Sequence, residues 1–239
     1  TNGNMVAGNH KLTYELKAPE RSPIFKGELK CAKTTADDFS YHVPIENGEA
    51  KVLSLDVKGP FVRKRRDVNL KVKDGIVQPD TEQDAIMVSV VERFGKNGNK
   101  SLAFCSGWKL KKGAMASTNA PDDNNLVVMG ANAEDMSFAV NYLIEQGGGQ
   151  VVVEDGKVIE FLPLPVGGIV SDDEPEVVAA KEAKIDEAAR SLGSDLPNPM
   201  MYMFFLPITA IPDYALTDAG PVDYCALTTY DPILELVEK

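Results

Sequence analysis

The sequence predicts a mixed α/β chain: a mixed β-sheet with two long helices packed on it, plus an N-terminal β-hairpin arm. Three observations carry this reading. Short β-branched runs recur through the first two thirds of the chain, punctuated by Gly, Asn and Asp. Two segments, 133–146 and 175–192, instead repeat their apolar residues every three or four positions. With 239 residues, 44% of them apolar and 26% charged, the chain can bury a core without disulfide staples.

The elements follow in order. Met5, Val6 and Ala7 face residues 11–16 across Gly8-Asn9, a hairpin with a turn-forming dipeptide. Residues 17–40 are polar, hold Pro19 and Pro23, and read as an extended arm. The chain therefore divides into an arm, 1–40, and a main domain, 41–239. Residues 51–58 alternate Val52, then Leu53, Leu55 and Val57, and residues 68–72 alternate Val68, Leu70 and Val72 before an Asp74-Gly75 turn. Runs 85–94 and 101–110 are further strands, joined by a glycine-rich connection. Residues 126–129 form a short buried strand. Asn132 is placed to cap the helix from Ala133, whose apolar face holds Met136, Ala139, Val140, Leu143 and Ile144. Glycines 147–149 end it, and strands 151–153 and 158–162 follow across an Asp155-Gly156 turn. The strand–helix–strand order makes strands 126–129 and 151–153 parallel if they share a sheet. Pro175 starts the second helix, which buries Val178, Ile185, Ala188, Ala189 and Leu192 and stops at Gly193. Residues 200–206 read as a dense apolar strand. The tail, with Pro207, Pro212, Pro221 and Pro232, is expected to run over the surface.

Composition excludes several functions. Lys and Arg number 25 against 36 Asp and Glu, a net charge of −11. Such a surface repels phosphate backbones, so nucleic acid is not an expected partner. No apolar run reaches membrane-span length. Three cysteines, odd in number and far apart, give neither a disulfide framework nor a metal knuckle and point to the cytoplasm. The two histidines, His10 and His42, lie in polar stretches, too few for a zinc or dinuclear centre. No catalytic residue, cofactor or metal ligand set is assigned within this chain.

The most unusual stretch is 113–125. It crowds Ser117, Thr118, Asn119, Asp122, Asp123, Asn124 and Asn125 between two strands. Short side chains that donate and accept can read a heterocycle edge or line an active site, or simply satisfy their own backbone. Glu92-Arg93, at a strand end, reads as an internal ion pair, with contact to another domain as the alternative.

Six motifs occur in fixed order: VVERFGKNGN (90–99), GAMAS (113–117), NLVVMG (125–130), AEDMSFAVN (133–141), EQGGG (145–149) and LPLPVGG (162–168). Together they resemble the C-terminal domain of the bacterial and archaeal adenine deaminases of the amidohydrolase superfamily, over roughly residues 40–220. Residues 1–20 resemble the end of the small β-domain flanking the barrel in that superfamily. The resemblance implies a metal-binding (β/α)₈ barrel, as domain or subunit, that holds manganese, iron or zinc. There metal-activated hydroxide attacks C6 of adenine to give hypoxanthine and ammonia. It also implies a purine base as ligand and an assembly of several copies. One departure stands out. Where the family reads His-Asp-Ser-His-Asn, this chain has Pro121, Asp122, Asp123, Asn124 and Asn125. Two alternatives follow from it: a part of a different purine-ring amidohydrolase, or a non-catalytic binding or assembly module.

Overall fold

The structure, a computed structural model, describes residues 2–15 and 29–239. The expected hairpin is present as β1 (Ala7–Gly8) and β2 (Lys11–Leu12). Its turn sits one residue later than expected, at Asn9 and His10, both with positive φ (51° and 60°). That is the backbone a two-residue turn needs to match strand twist, and Asn and His tolerate it better than most residues. The first half of the arm expected at 17–40, residues 17–28, lies outside the described residues. From Leu29 onward the chain is packed rather than free. The Thr34 amide and carbonyl pair with the Asn141 side chain at 2.8 Å each, and a short 3₁₀ turn, Ala36–Phe39, buries Phe39.

Among the described residues the main sheet has eleven strands. After β3 (Tyr41–His42) come the long antiparallel partners β4 (Gly48–Gly59) and β5 (Val62–Lys73), then β6 (Ile76–Val77). The central strands are β7 (Ile86–Val91), β8 (Lys100–Ser106), β9 (Ala114–Ser117) and β10 (Leu126–Gly130). Helix α1 (Ala133–Gln146) leads to β11 (Gly149–Glu154) and β12 (Lys157–Pro163). The order across the sheet is β12-β11-β9-β10-β7-β8-β4-β5-β6-β3. Strands β10 and β11 both pair antiparallel with β9, so they run parallel to each other, as the crossover rule requires, with β9 inserted between them. The Asp74-Gly75 and Asp155-Gly156 turns both adopt positive φ at each residue.

Two cores lie on opposite faces of this sheet. One packs Val128, Val151 and Val153 against Met136, Ala139, Val140 and Leu143 of α1. The other packs Val127, Met129 and Val152 against Ile185, Ala188 and Ala189 of α2 (Pro175–Ser191) and Met200 and Met203 of α3 (Pro199–Phe204). Strands buried on both faces need no polar alternation, which is why β7 and β10 read as continuous apolar runs. The phase slip at Val52/Leu53 has the same origin. Val52 faces the α1 core, whereas Leu55 and Val57 face the other. Both helix caps match expectation: Asn132 accepts from the Asp135 amide at 2.7 Å, and Gly147 ends α1 in the left-handed region.

Two expectations fail. The segment 200–206 is not a strand; its first part belongs to helix α3, with Pro199 at its first turn. A short dense apolar run carries no period, so only packing of Met200 and Met203 onto the core selects the helix. The residues GAMAS were grouped with a loop, yet Ala114–Ser117 is the fully buried strand β9. Alanine is a poor strand former in isolation, but this site is crowded: a Cβ on Gly130 would lie 2.8 Å from the Cβ of Ala114. The tail does run mostly over the surface, as expected, but in regular strands. It forms a small antiparallel sheet, β13 (Tyr214–Thr217), β14 (Gly220–Asp223) and β15 (Thr228–Thr229). Its last strand, β16 (Ile233–Glu238), pairs with the first half of β4, beside the parallel pairing of β8 with the second half.

Arg63 joins tail and sheet. It is buried (1% exposed) with no acidic partner within ion-pair distance among the described residues. Its guanidinium donates to the carbonyls of Phe205, Leu206, Ile208 and Ile211, closing the C-terminus of α3, where carbonyls lack helical partners. Burial lowers its pKa to about 10.

Candidate functional site

Four connections gather at one end of the sheet because their strands begin or end in register there. Val91 pairs with Lys100 and Leu126, Ser117 with Val127 and Gln150, and Gly149 with Pro163. This end therefore assembles loop 92–99, loop 117–125, glycines 147–149 and the segment after β12. Five of the six sequence motifs reach it from distant parts of the chain; the sixth, 133–141, starts α1 at the other end, where Asp135 accepts from the Asp155 and Gly156 amides.

Thr118 is the central tie. It is fully buried. Its hydroxyl accepts from the Gly149 amide at 2.8 Å and donates to the Gly168 carbonyl, while its own amide donates to the Gly149 carbonyl at 3.0 Å. The glycines are required by close approach: a Cβ on Gly148 would lie 2.5 Å from the Gly168 Cα. A Cβ on Gly168 would lie 2.3 Å from Nη1 of Arg93. Besides capping α1, the triple glycine lets this second backbone come within contact.

Glu92 and Arg93 are not an ion pair with each other. Both are buried, and each serves backbone. The Glu92 carboxylate accepts the amides of Phe94 (2.6 Å), Lys96 (2.9 Å), Asn97 (3.3 Å) and Gly98 (3.2 Å). Burial pushes its pKa up, but these four donors outweigh that and hold it below the usual glutamate range. Arg93 turns the other way. It donates to the carbonyls of Asn124 and, at 3.1 Å, Gly167, tying the 117–125 loop to the segment after β12.

The remaining loop residues divide into scaffold and open positions. Ser117 accepts from the Asn119 amide at 3.0 Å and donates to the Asn119 carbonyl at 3.1 Å. Asn125 is buried; its side chain accepts from the Arg93 amide and donates to Asp123 at 3.0 Å. Burial pushes the Asp123 carboxyl up, two bonds from Asn125 pull it back, and the charges of Asp218 and Asp122 push it up further. Asp122 is exposed, and Asp122 and Asn124 hold positive φ (76° and 50°). The structure thus brings all seven predicted residues to one place. Ser117, Thr118, Asp123 and Asn125 are committed to the scaffold, whereas the side chains of Asn119, Asp122 and Asn124 make no hydrogen bond among the described residues. Arg93 as a backbone clamp was missed. The available signal was an Arg directly after a buried six-residue strand, apolar but for Ser89, and a Glu, where its side chain has little but carbonyls to meet.

The histidines lie elsewhere: His10 in the hairpin turn, and His42 paired with Asp37 at 2.8 Å. Among the described residues no group of three or more His, Cys, Asp or Glu is placed to hold a metal ion. Nor is any helix there long and apolar enough to cross a membrane.

A family model described as the adenine deaminase C-terminal domain matches residues 60–227. This chain belongs to that family. Similarity to individual relatives runs over nearly the whole chain. It is 69% identical over 236 residues to "Adenine deaminase 1" of Desulfotalea psychrophila, covering 99% of this chain and 40% of that protein. "Adenine deaminase 1" of Latilactobacillus sakei is 50% identical over 234 residues (98% of this chain, 39% of that protein). "Adenine deaminase 4" of Rhizobium meliloti is 48% identical over 234 residues (97% and 39%). The chain spans about 40% of the length of the curated relatives it matches. In these relatives the domain is thus carried within a larger deaminase chain.

Proposed function

We propose that this chain is the C-terminal part of an adenine deaminase, acting on adenine and water to give hypoxanthine and ammonia. In this reading its 117–125 loop lines the mouth of an active site built mainly by a barrel in the rest of the longer protein. The observation that carries the proposal is the convergence of five of the family's motifs on one end of the sheet, around a loop with open hydrogen-bonding side chains. Asn119 and Asn124 both donate and accept, and Asp122 accepts from an exocyclic amine. The work assigned to this chain is to orient the base and exclude water. Thr118, Arg93 and Glu92 hold the loop for that task.

The resemblance implies manganese, iron or zinc to activate the attacking water. The described residues do not fit such an ion, so its ligands belong to the barrel, and no step is assigned to it here. The exposed apolar residues of the hairpin, Met5, Leu12 and Tyr14, suit packing onto the β-domain that flanks such a barrel. Three free cysteines, Cys31, Cys105 and Cys225, accord with a reducing cytoplasm, and an assembly of several copies completes the reading.

The test is ammonia release from adenine by the full-length, metal-loaded protein, compared with its Pro121→His/Asn124→His variant. Position 124 has a φ of 50°, which histidine tolerates. The expected change in kcat/KM is about tenfold to a hundredfold, the worth of one buried substrate hydrogen bond. Matching kinetics would remove the loop from the site. Turnover of another purine but not adenine would favour the different purine-ring amidohydrolase.

A further inference from the structure

On the opposite side of Asn119, a cleft of about 280 Å³ opens between the start of β11, the outer face of α2 and the start of α3. Ile185, Met200, Met201 and Phe204 supply its apolar wall. Five polar side chains converge on it: Asn119, Gln150, Glu182, Asp186 and Asn198. None of these five makes a hydrogen bond or ion pair to another described residue. This contrasts with the neighbouring loop, where Ser117, Thr118, Asn125 and Asp123 are all tied down.

The charge of the cleft is one-sided. Glu182 and Asp186 lie four residues apart on α2 and so share a face. Arg190 acts on Asp186 only through its charge, since its hydrogen bond goes to the Pro197 carbonyl at 3.1 Å, and Lys181 pairs with Asp173 at 2.8 Å. Two carboxylates beside an aromatic ring and two thioethers make a floor for a flat cation, and three carboxamides around them supply further acceptors. The volume suits one ring system rather than an extended ligand.

We propose that this cleft binds a small flat ligand bearing an amidinium or guanidinium group. Its N–H donors meet Glu182 and Asp186, and its body lies against Phe204, Met200 and Met201. Burial raises the Asp186 carboxyl, Arg190 eases it and Glu182 raises it again, so a bound cation relieves a strain already present. The proposal does not depend on the deaminase reading, because nothing in it uses the reaction.

The test uses benzamidine and its neutral isostere benzamide, titrated into the full protein with ¹³C-methyl-labelled methionine. Met200→Leu and Met201→Leu assign the two cleft signals. Benzamidine is expected to shift both, while Met115 and Met129, buried in the sheet, stay in place. Benzamide is expected to bind at least about tenfold more weakly, the scale of one charge-assisted contact. Asp186→Asn is expected to weaken benzamidine about tenfold. If that variant disturbs Met115 or Met129, Glu182→Gln serves instead. Equal binding of the two probes, insensitivity to both variants, shifts confined to other methyls, or no shift at millimolar probe would each overturn the proposal. Loss of adenine turnover with the cleft signals still responding would fault only the deaminase reading.

Discussion

Thr118→Val isolates the hydrogen bonds that tie the loop end together. Valine replaces the hydroxyl by a methyl of similar size, so the fully buried site stays filled. What is lost is the acceptor for the Gly149 amide at 2.8 Å and the donor to the Gly168 carbonyl. Both partners sit beside buried glycine backbone that water does not reach easily. Each stranded buried group costs about 1–3 kcal/mol, giving a destabilisation of roughly 2–6 kcal/mol. Thr118→Ser keeps the hydroxyl and removes one methyl, which costs about 1 kcal/mol. The order is therefore expected to be wild type, then Ser, then Val, although Val is the more apolar and the better strand former. Urea unfolding of the three proteins measures it, as a fall in midpoint without a change in slope. If Val is as stable as Ser, the hydroxyl is not a tie, and the account of the glycine cradle fails with it.

Two further outcomes are expected. Arg63→Met fills most of the volume but strips donors from the carbonyls of Phe205, Leu206, Ile208 and Ile211. It should cost about 3 kcal/mol or more, and Arg63→Lys should recover only part, since an ammonium cannot fork to four carbonyls; full recovery in a thermal melt would argue against the forked geometry. Glu92 has a folded pKa below its usual 4.5, so its stabilisation is complete above that value and is lost as pH falls through the folded one. The stability gap between wild type and Glu92→Gln should hold from about pH 7 to 5 and narrow as pH falls below 4.5 toward the lowered folded pKa; a gap unchanged across a pH series of unfolding curves would contradict the four-donor arrangement.

The sequence by itself determined whatever depends on near neighbours. The caps at Asn132 and Gly147, the Asp74-Gly75 and Asp155-Gly156 turns and the buried face of α2 each follow from a few adjacent residues, because capping and turn geometry are local. The position of the loop in sequence and its family motifs were legible for the same reason. Only the tertiary structure decided the rest. Residues 200–203 became helical because Met200 and Met203 meet a core formed by strands distant in sequence. Ala114–Ser117 became a central strand because its neighbours leave room only for small side chains. β16 found half of one edge of β4, a pairing that no local pattern announces. Glu92 and Arg93, adjacent in sequence and opposite in charge, look like partners on paper. Burial set them apart, since otherwise unpaired backbone amides and carbonyls from separate loops converge on each side chain and take up its hydrogen-bonding capacity.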